Sequence, residues 1–565
     1  MLTASSPAVT EKVKANAAVL DDVRGQLDHD GNNYDHLVDE ARAATEAEHN
    51  LTLLQAIKKY PKCIGWSVLL SLSLVMTGYD VVLLGSFYAL PQFTREFGVP
   101  TSDGYTITAP WQAGLSNAAK CGEIFGLAAN GILVERFGAR KTMLGALSLL
   151  CIWIFLTVFA QSLGMILAGQ LLCGCCWGVF ETLTTTYAAE ISPVALRPYL
   201  TSYVNLCWVM GQVIASGLLR GTLDWDSEWS WRLPFALQWF WPIPIIIGCS
   251  FAPESPWWQV RRGRLDEARK TIHRLRSNAT DAEVEAQIAM MQHTNAFEKS
   301  MAEGTSYIDC FKGIDRRRTE VASGVWMIQN LCGSAFMGYS TFFLQRAGMA
   351  TSNAFSMSIA QYALGALGTI SSWWLMKVAG RRPLYVYGLV VLALLLLVIG
   401  IMGCLPSSNN GAAWGVGALL LVYTAVYDAT IGPVCYCLVS EVSSSRLRAK
   451  TVVLARIFYN LIAIVNAVIM PYFLNEGELN WGAKTGFFWS GMCFLCFVWA
   501  FFRLPEPKGR TYGELDVLFA NKVSARKFHK TAADQFAGHG GLAVTDSVEL
   551  DAEKGEKGHI EHREL

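Results

Sequence analysis

Two long apolar blocks, cut by short basic or acidic turns, occupy most of the chain between residues 63 and 503. An α-helix needs ~20 apolar residues to cross the hydrocarbon core of a bilayer. By that measure the runs predict twelve spans, at 64–93, 110–135, 142–160, 163–190, 199–221, 232–252, 319–344, 354–378, 383–403, 413–441, 450–475 and 483–503. Several runs are longer than the bilayer requires, which predicts tilt or projecting ends. Charged residues gather elsewhere. They divide the chain into an amino-terminal tail (1–62), a first six-helix half (63–252), a central loop (253–318), a second half (319–503) and a carboxy-terminal tail (504–565).

Composition fits a chain built for lipid. Of 565 residues 52% are hydrophobic and 16% charged, against about a quarter charged in ordinary soluble domains. The predicted fold class is therefore an all-α membrane protein of twelve transmembrane helices. The formal net charge is zero; the expected surroundings are the lipid bilayer, the expected state is a monomer, and no nucleic-acid partner is expected. The first tail is polar and has no short apolar segment with a cleavage site, so it reads as a retained tail.

Lys and Arg cluster after span 2 (Arg136, Arg140, Lys141), after span 8 (Lys377, Arg381, Arg382) and after span 10 (Arg446, Arg448, Lys450), while Asp224, Asp226, Glu228, Glu476 and Glu478 occupy alternate loops. The positive-inside rule then places both termini and the central loop in the cytoplasm. In that orientation the sequons at Asn50 and Asn278 are chance matches. Most of the fifteen cysteines lie inside spans, where they behave as small apolar residues, so neither a disulfide framework nor a metal site is expected.

Basic turns and acidic helix ends recur at a nearly constant offset. Glu190 and Arg197, seven apart after span 4, are matched by Glu441 and Arg448 after span 10, with 441 − 190 = 251; PES at Pro253 is matched by PEP at Pro505, with 505 − 253 = 252. RFGARK at Arg136 has its counterpart in KVAGRRP at Lys377. A six-helix unit used twice suits alternating access, in which two halves rock about a midplane site. The predicted cytoplasmic gate comprises Glu135, Arg136, Arg140, Glu190, Arg197, Arg381, Arg382, Glu441 and Arg448, whose ion pairs close one face and break on opening. The basic turns alone also read as membrane anchors.

The motifs GYD in span 1, GILVERFGARK after span 2, YAAEISPVALR after span 4, QNLCGSAFMGYS in span 7, VAGRRPL after span 8, GPVCYCLVSEV in span 10 and PEPKGRT after span 12 resemble the sugar porter branch of the major facilitator superfamily. The likeness covers about residues 50–515. PESPWW, GQLLCGCCWG and EHNLTLLQAIKKYPK narrow it to the fungal α-glucoside permeases. The resemblance implies a plasma-membrane proton symporter for maltose-like sugars with a cytoplasmic bundle of short helices, in which PWWQVRRGRLDEARKTIHRL is an amphipathic member.

Ionisable groups within spans cost roughly 2.5–3.5 kcal/mol each on insertion scales and call for a partner, a wet cavity or a function. They are Asp80, Lys120, Glu123, Glu181, Asp428 and Arg456. Asp80 lies near the middle of span 1 with no opposite charge nearby in sequence, which suits it to take up a proton facing outward and release it facing inward. In proton-coupled sugar porters the Asp of GYD is typically answered by an Arg in span 4; the matching position here is Gln170. Proton coupling is assigned to Asp80 and Glu123, with Lys120 or Arg456 supplying the missing positive charge in one conformation. Lys120 and Glu123, three apart on a helix, are equally suited to satisfying each other. Glu181 is expected to reach the interface by snorkelling.

A sugar needs amides for its hydroxyls and aromatic faces for its C–H side. Asn205 and Gln212 share one face of span 5; span 7 offers Gln329, Asn330 and Tyr339, span 10 Tyr436 and span 11 Asn460. By resemblance Gln329 and Asn330 match the family's paired glutamines, Tyr436 replaces its usual Trp, and Ala335 replaces an Asn, changes that leave more room for a disaccharide. Each amide is alternatively a bridge between helices. An α-glucoside–proton importer is thus the expectation, with an uncoupled facilitator or a non-transporting sugar receptor as rivals. No nucleophile with an ordered base and no phosphate loop points to an enzyme, and no cofactor is expected.

Overall fold

The computed structural model describes residues 34–101, 104–301, 306–338, 340–341, 344, 350–405, 410–444, 447–474, 479, 481–533 and 545–546. Tyr339, expected at the sugar site, lies outside the described residues. Among the described residues nine helices are long and apolar enough to cross a membrane on length and composition: Pro61–Phe87, Ala139–Val158, Leu163–Ile191, Arg197–Thr222, Trp229–Phe251, Arg381–Met402, Trp414–Val442, Arg448–Met470 and Gly482–Arg503. They are spans 1, 3–6 and 9–12. Spans 2 (Ala109–Phe137) and 8 (Thr351–Ala379) are continuous 29-residue helices. The charges Lys120, Glu123, Glu135 and Arg136 lower the hydropathy of the former. Span 7 is interrupted (Asp315–Gln329, then Ala335–Gly338). Together these make twelve transmembrane helices.

The expected end of span 1 at 93 is too late. The helix stops at Phe87, and Pro91 starts a separate short helix, Pro91–Phe97, since proline supplies no N–H to continue the ladder but fits a helix start. A short antiparallel hairpin, Val99–Thr101 with Gly104–Thr106, then leads into span 2. Span 6 likewise carries Pro234 and Pro242 and changes to a 3₁₀ turn at Leu237–Phe240.

Helix packing repeats between the halves. Span 2 lies on span 4 as span 8 lies on span 10, and span 1 lies on span 5 as span 7 lies on span 11. Two seams join the halves, span 5 against span 8 and span 2 against span 11, and the repeat exchanges one for the other. Small residues set the closest approaches: a Cβ at Gly126 of span 2 would stand 1.9 Å from the Cys175 carbonyl oxygen of span 4, so any larger residue must push those backbones apart.

Spans 7 and 10 are each broken, and the two breaks adjoin. Span 7 passes through a π turn, Asn330–Ser334, with Gly333 at φ 99°, a conformation that favours glycine. Span 10 breaks at Thr430, between Asn410–Ala429 and Ile431–Val442, just before Gly432-Pro433. Gln329 Nε2 donates to the Gly432 carbonyl at 2.9 Å and ties the two breaks together.

One face carries the described parts of both tails and of the central loop. There the helices Tyr34–His49, Pro256–Arg261, Leu265–Leu275, Asp281–Met301 and Tyr512–Ala520 share an apolar cluster of Ala41, Trp257, Val260, Ala268, Met290 and Tyr512. On the same face Gly138 and Gly380, at φ 86° and 88°, start spans 3 and 9. Glu254 of PES accepts from the Ala139 and Arg140 amides at 2.8 and 3.3 Å, and Glu506 of PEP from those of Arg381 and Arg382 at 3.2 and 2.9 Å. The repeated acid is thus a cap on the otherwise unsatisfied N–H groups of a helix start.

Candidate functional site

A cavity of about 240 Å³ lies between the halves, lined by spans 1, 2, 4, 5, 7, 8, 10 and 11. Span 5 presents Asn205, Trp208, Val209 and Gln212 to it, the i, i+3, i+4, i+7 stripe of one helix face. Gln329 and Asn330 enter from the break of span 7, and Tyr436 from span 10. Asn330 Nδ2 donates to the Tyr459 carbonyl at 3.0 Å, and its own carbonyl accepts from Asn466 Nδ2 at 3.1 Å. Asn460 is not on the lining. The span 11 stripe runs Arg456, Tyr459, Ala463, Asn466 and Ala467; Asn460, at the margin of that stripe, is fully buried with neither amide atom partnered.

Asp80 lines the cavity at 2% exposure. Its Oδ1 accepts from Gln238 Nε2 at 2.7 Å and from Gln170 Nε2 at 3.2 Å. Lys120 meets Glu123 instead, Nζ lying 2.7 and 2.9 Å from the two carboxylate oxygens. Arg456 reaches Glu181 through Nε at 2.8 Å and Nη2 at 2.6 Å. The expectation that Glu181 snorkels is therefore corrected: its side chain is 2% exposed, and a bidentate pair joins span 4 of one half to span 11 of the other. Trp208 stands between the two pairs, its ring centroid 5.9 Å from Lys120 Nζ and 5.7 Å from the Arg456 guanidinium. Asp428 of span 10 also lines the cavity and accepts from Asn205 Nδ2 at 3.2 Å, and Asn205 also donates to Thr369.

On the tail face the residues expected to form a gate pair differently from their sequence spacing. Glu190 pairs with Arg261 of the central loop at 3.1 Å and with Arg448 of the other half at 3.9 Å, and accepts from Ser255. Arg197, its expected partner seven residues on, has no carboxylate partner among the described residues and stacks on Tyr512. A seven-residue step that spans a helix end and a turn does not keep two side chains on one face. Glu441 pairs with Arg381 at 3.0 Å, and Lys450 with Glu135 across the span 2–span 11 seam. Arg140 and Arg382 tie each half to itself, the first to the Ser250 carbonyl at 2.5 Å, the second to those of Leu504 and Phe501 at 2.9 and 2.8 Å. Arg136 is exposed and lies over the Phe137 ring.

A cavity held between two six-helix repeats, with ion pairs across one face, is the layout of an alternating-access carrier. The sugar (and other) transporter family model matches residues 66–519. The chain belongs to that family. The transporter is 45% identical over 534 residues to the general alpha-glucoside permease of Saccharomyces cerevisiae, covering 93% of this chain and 86% of that one. It is 46% identical over 511 residues to maltose permease MAL31 of the same organism, covering 89% and 83%. In fold it is similar to the proton:xylose symporter XylE bound to 6-bromo-6-deoxy-D-glucose, with a TM-score of 0.70, 19% identity and coverage of 81% of this chain and 99% of that one. It also resembles the inward-open conformation of the xylose transporter XylE from E. coli, with a TM-score of 0.60, 18% identity and coverage of 81% and 99%.

Gln238, the nearer partner of Asp80, was not legible as a site residue, although a glutamine inside the run ALQWFWPIP of a span is itself a signal. Asn466 was equally detectable, seven residues beyond Tyr459 and so on its face. Asp428 stood out as a buried charge, but only the structure brings it to the cavity wall.

Proposed function

We propose that the transporter imports an α-glucoside disaccharide of the maltose type together with a proton, by alternating access across the plasma membrane, as a monomer with both termini and the central loop in the cytoplasm. The observation that carries this reading is the 45% identity over 93% of the chain to a general alpha-glucoside permease. The cavity supports it: Asn205 and Gln212 from one half face Gln329, Asn330 and Tyr436 from the other, so one ligand can hydrogen-bond both halves at once, with aromatic faces for its apolar side. Asp80 supports coupling because it lines the cavity and accepts hydrogen bonds from two neutral amides, Gln170 and Gln238, with no cation paired to it among the described residues, and a buried carboxylate without an opposite charge is costly to keep. Lys120 and Arg456, engaged by Glu123 and Glu181 here, become available to Asp80 only if those pairs exchange partners. Closed ion pairs on the tail face support a carrier with its cytoplasmic side shut.

The test is uptake of a panel of labelled disaccharides by a yeast strain lacking its own permeases, with and without a protonophore. Accumulation of maltose above the external concentration, lost with the protonophore, is expected; absence of α-glucoside uptake overturns the substrate assignment. The replacement of the family's span 4 Arg by Gln170 favours a second reading, an uncoupled facilitator. Sugar-induced alkalinisation separates the two: it is expected in the wild type and abolished in Asp80→Asn, whereas a facilitator gives none in either.

A further inference from the structure

Tyr512 opens the tail helix Tyr512–Ala520 and inserts its ring between cations of different halves. The guanidinium of Arg197, at the start of span 5, and that of Arg448, at the start of span 11, each lie 3.9 Å from the ring centroid. The residue is 4% exposed. Its hydroxyl donates to the Ala189 carbonyl of span 4 at 3.4 Å, and Trp257 of the central loop meets it edge-on with centroids 6.1 Å apart.

Charge makes this placement consequential. Arg197 is buried and has no carboxylate partner among the described residues, so the negative face of the ring is its compensation. Arg448 is shared between that ring and Glu190. Two guanidinium groups brought this close repel each other unless something of opposite sign lies between them. The ring is itself held in place: Thr511 and Glu514 form a capping box at the helix start, and Asp516, one turn on, makes a buried ion pair with Arg318 at the base of span 7. That pair fixes the position of the tail helix against span 7.

We propose that Tyr512 is a positioning residue of the cytoplasmic gate: its ring joins Arg197 of the first half to Arg448 of the second, and cytoplasmic opening requires it to release at least one of them. Resting on the alternating-access reading, the inference extends the gate from the spans to the carboxy-terminal tail. Removing the ring face then favours the inward-facing state, and a carrier that spends less time facing outward binds external sugar more weakly in proportion.

The experiment compares Tyr512→Phe, Tyr512→Leu and a series with one, two and three ring fluorines on phenylalanine at position 512, which withdraws the negative face while keeping the shape. Half-saturating maltose is measured at each face in oriented sealed vesicles. Tyr512→Phe is expected to match the wild type. Tyr512→Leu is expected to raise the external value and lower the internal one, changing their ratio on the order of tenfold, and the fluorinated series to fall between in graded order. A flat fluorine series, or Leu and Phe behaving alike, overturns the proposal. Hydrogen exchange at residues 197–201 and 448–452 of the purified full chain gives a readout independent of the sugar: it should rise with fluorination. If the wild type carries no α-glucoside, the substrate assignment falls while the exchange series still decides the role of Tyr512.

Discussion

Replacing Glu181 by glutamine leaves the guanidinium of Arg456 buried without its carboxylate. Both partners are nearly solvent-free, with side chains 2% and 1% exposed, and the pair is bidentate at 2.8 and 2.6 Å. An exposed pair would contribute only about 0–1 kcal/mol, whereas breaking a buried pair from one side costs about 3–5 kcal/mol, because the remaining charge keeps its desolvation penalty. The second figure applies here. Stacking of Arg456 on the Tyr459 ring, 3.9 Å away, survives the substitution and places the expected loss toward the lower end, about 3 kcal/mol. The assay is unfolding of purified protein in detergent for Glu181→Gln, Arg456→Gln and the double variant. Each single variant should lose this much, and the double variant should lose clearly less than their sum, since it leaves no orphan charge. Singles that each cost under about 1 kcal/mol, or that add without interaction, would refute the reasoning. Because the pair joins span 4 to span 11, the single variants should also slow sugar uptake.

Gln238→Leu takes away the nearer donor of Asp80 and leaves Gln170 alone, so a thermal-stability loss of about 1–3 kcal/mol is expected, together with weaker sugar-induced proton uptake; wild-type values in both would show that the 2.7 Å contact has no consequence. Gly126→Ala forces a methyl against a carbonyl at 1.9 Å and should destabilise by about 1–3 kcal/mol, read as a lower Tm, while Gly145→Ala, with open space around it, should leave Tm unchanged. His293 is buried in the loop helix Asp281–Met301, and burial holds its imidazole down to about 4 from 6.5. The stability it contributes is therefore full above about 6.5 and drains as pH falls toward 4, about 2 kcal/mol being lost between pH 7 and 5. Hydrogen exchange in the loop bundle should rise over that interval and respond less in His293→Gln; equal responses would contradict the assignment.

Spans and halves were readable because length and repetition are properties of one chain segment at a time. Helical spacing likewise brought Asn205 and Gln212 to one face, whereas Asn460, chosen as the amide of span 11, is absent from the lining, where Asn466 stands instead. The charges were the least readable. Glu181 finds its partner 275 residues away, and Glu190 finds Arg448 in the other half, pairings that no local rule encodes. The breaks in spans 7 and 10 had signals in Gly333 and Gly432-Pro433, but a glycine in an apolar run also marks close helix packing, as Gly126 does, and sequence does not separate the two uses.

The carboxylates of PES and PEP bear on how force is routed through this protein. In each half the segment leaving the sixth helix returns to the start of the third, so the half closes on itself like a hoop and resists splaying. Motion is thereby left to the two seams, and two stiff hoops with a hinge line between them make a lever, in which a small loss of contact at one rim opens the other.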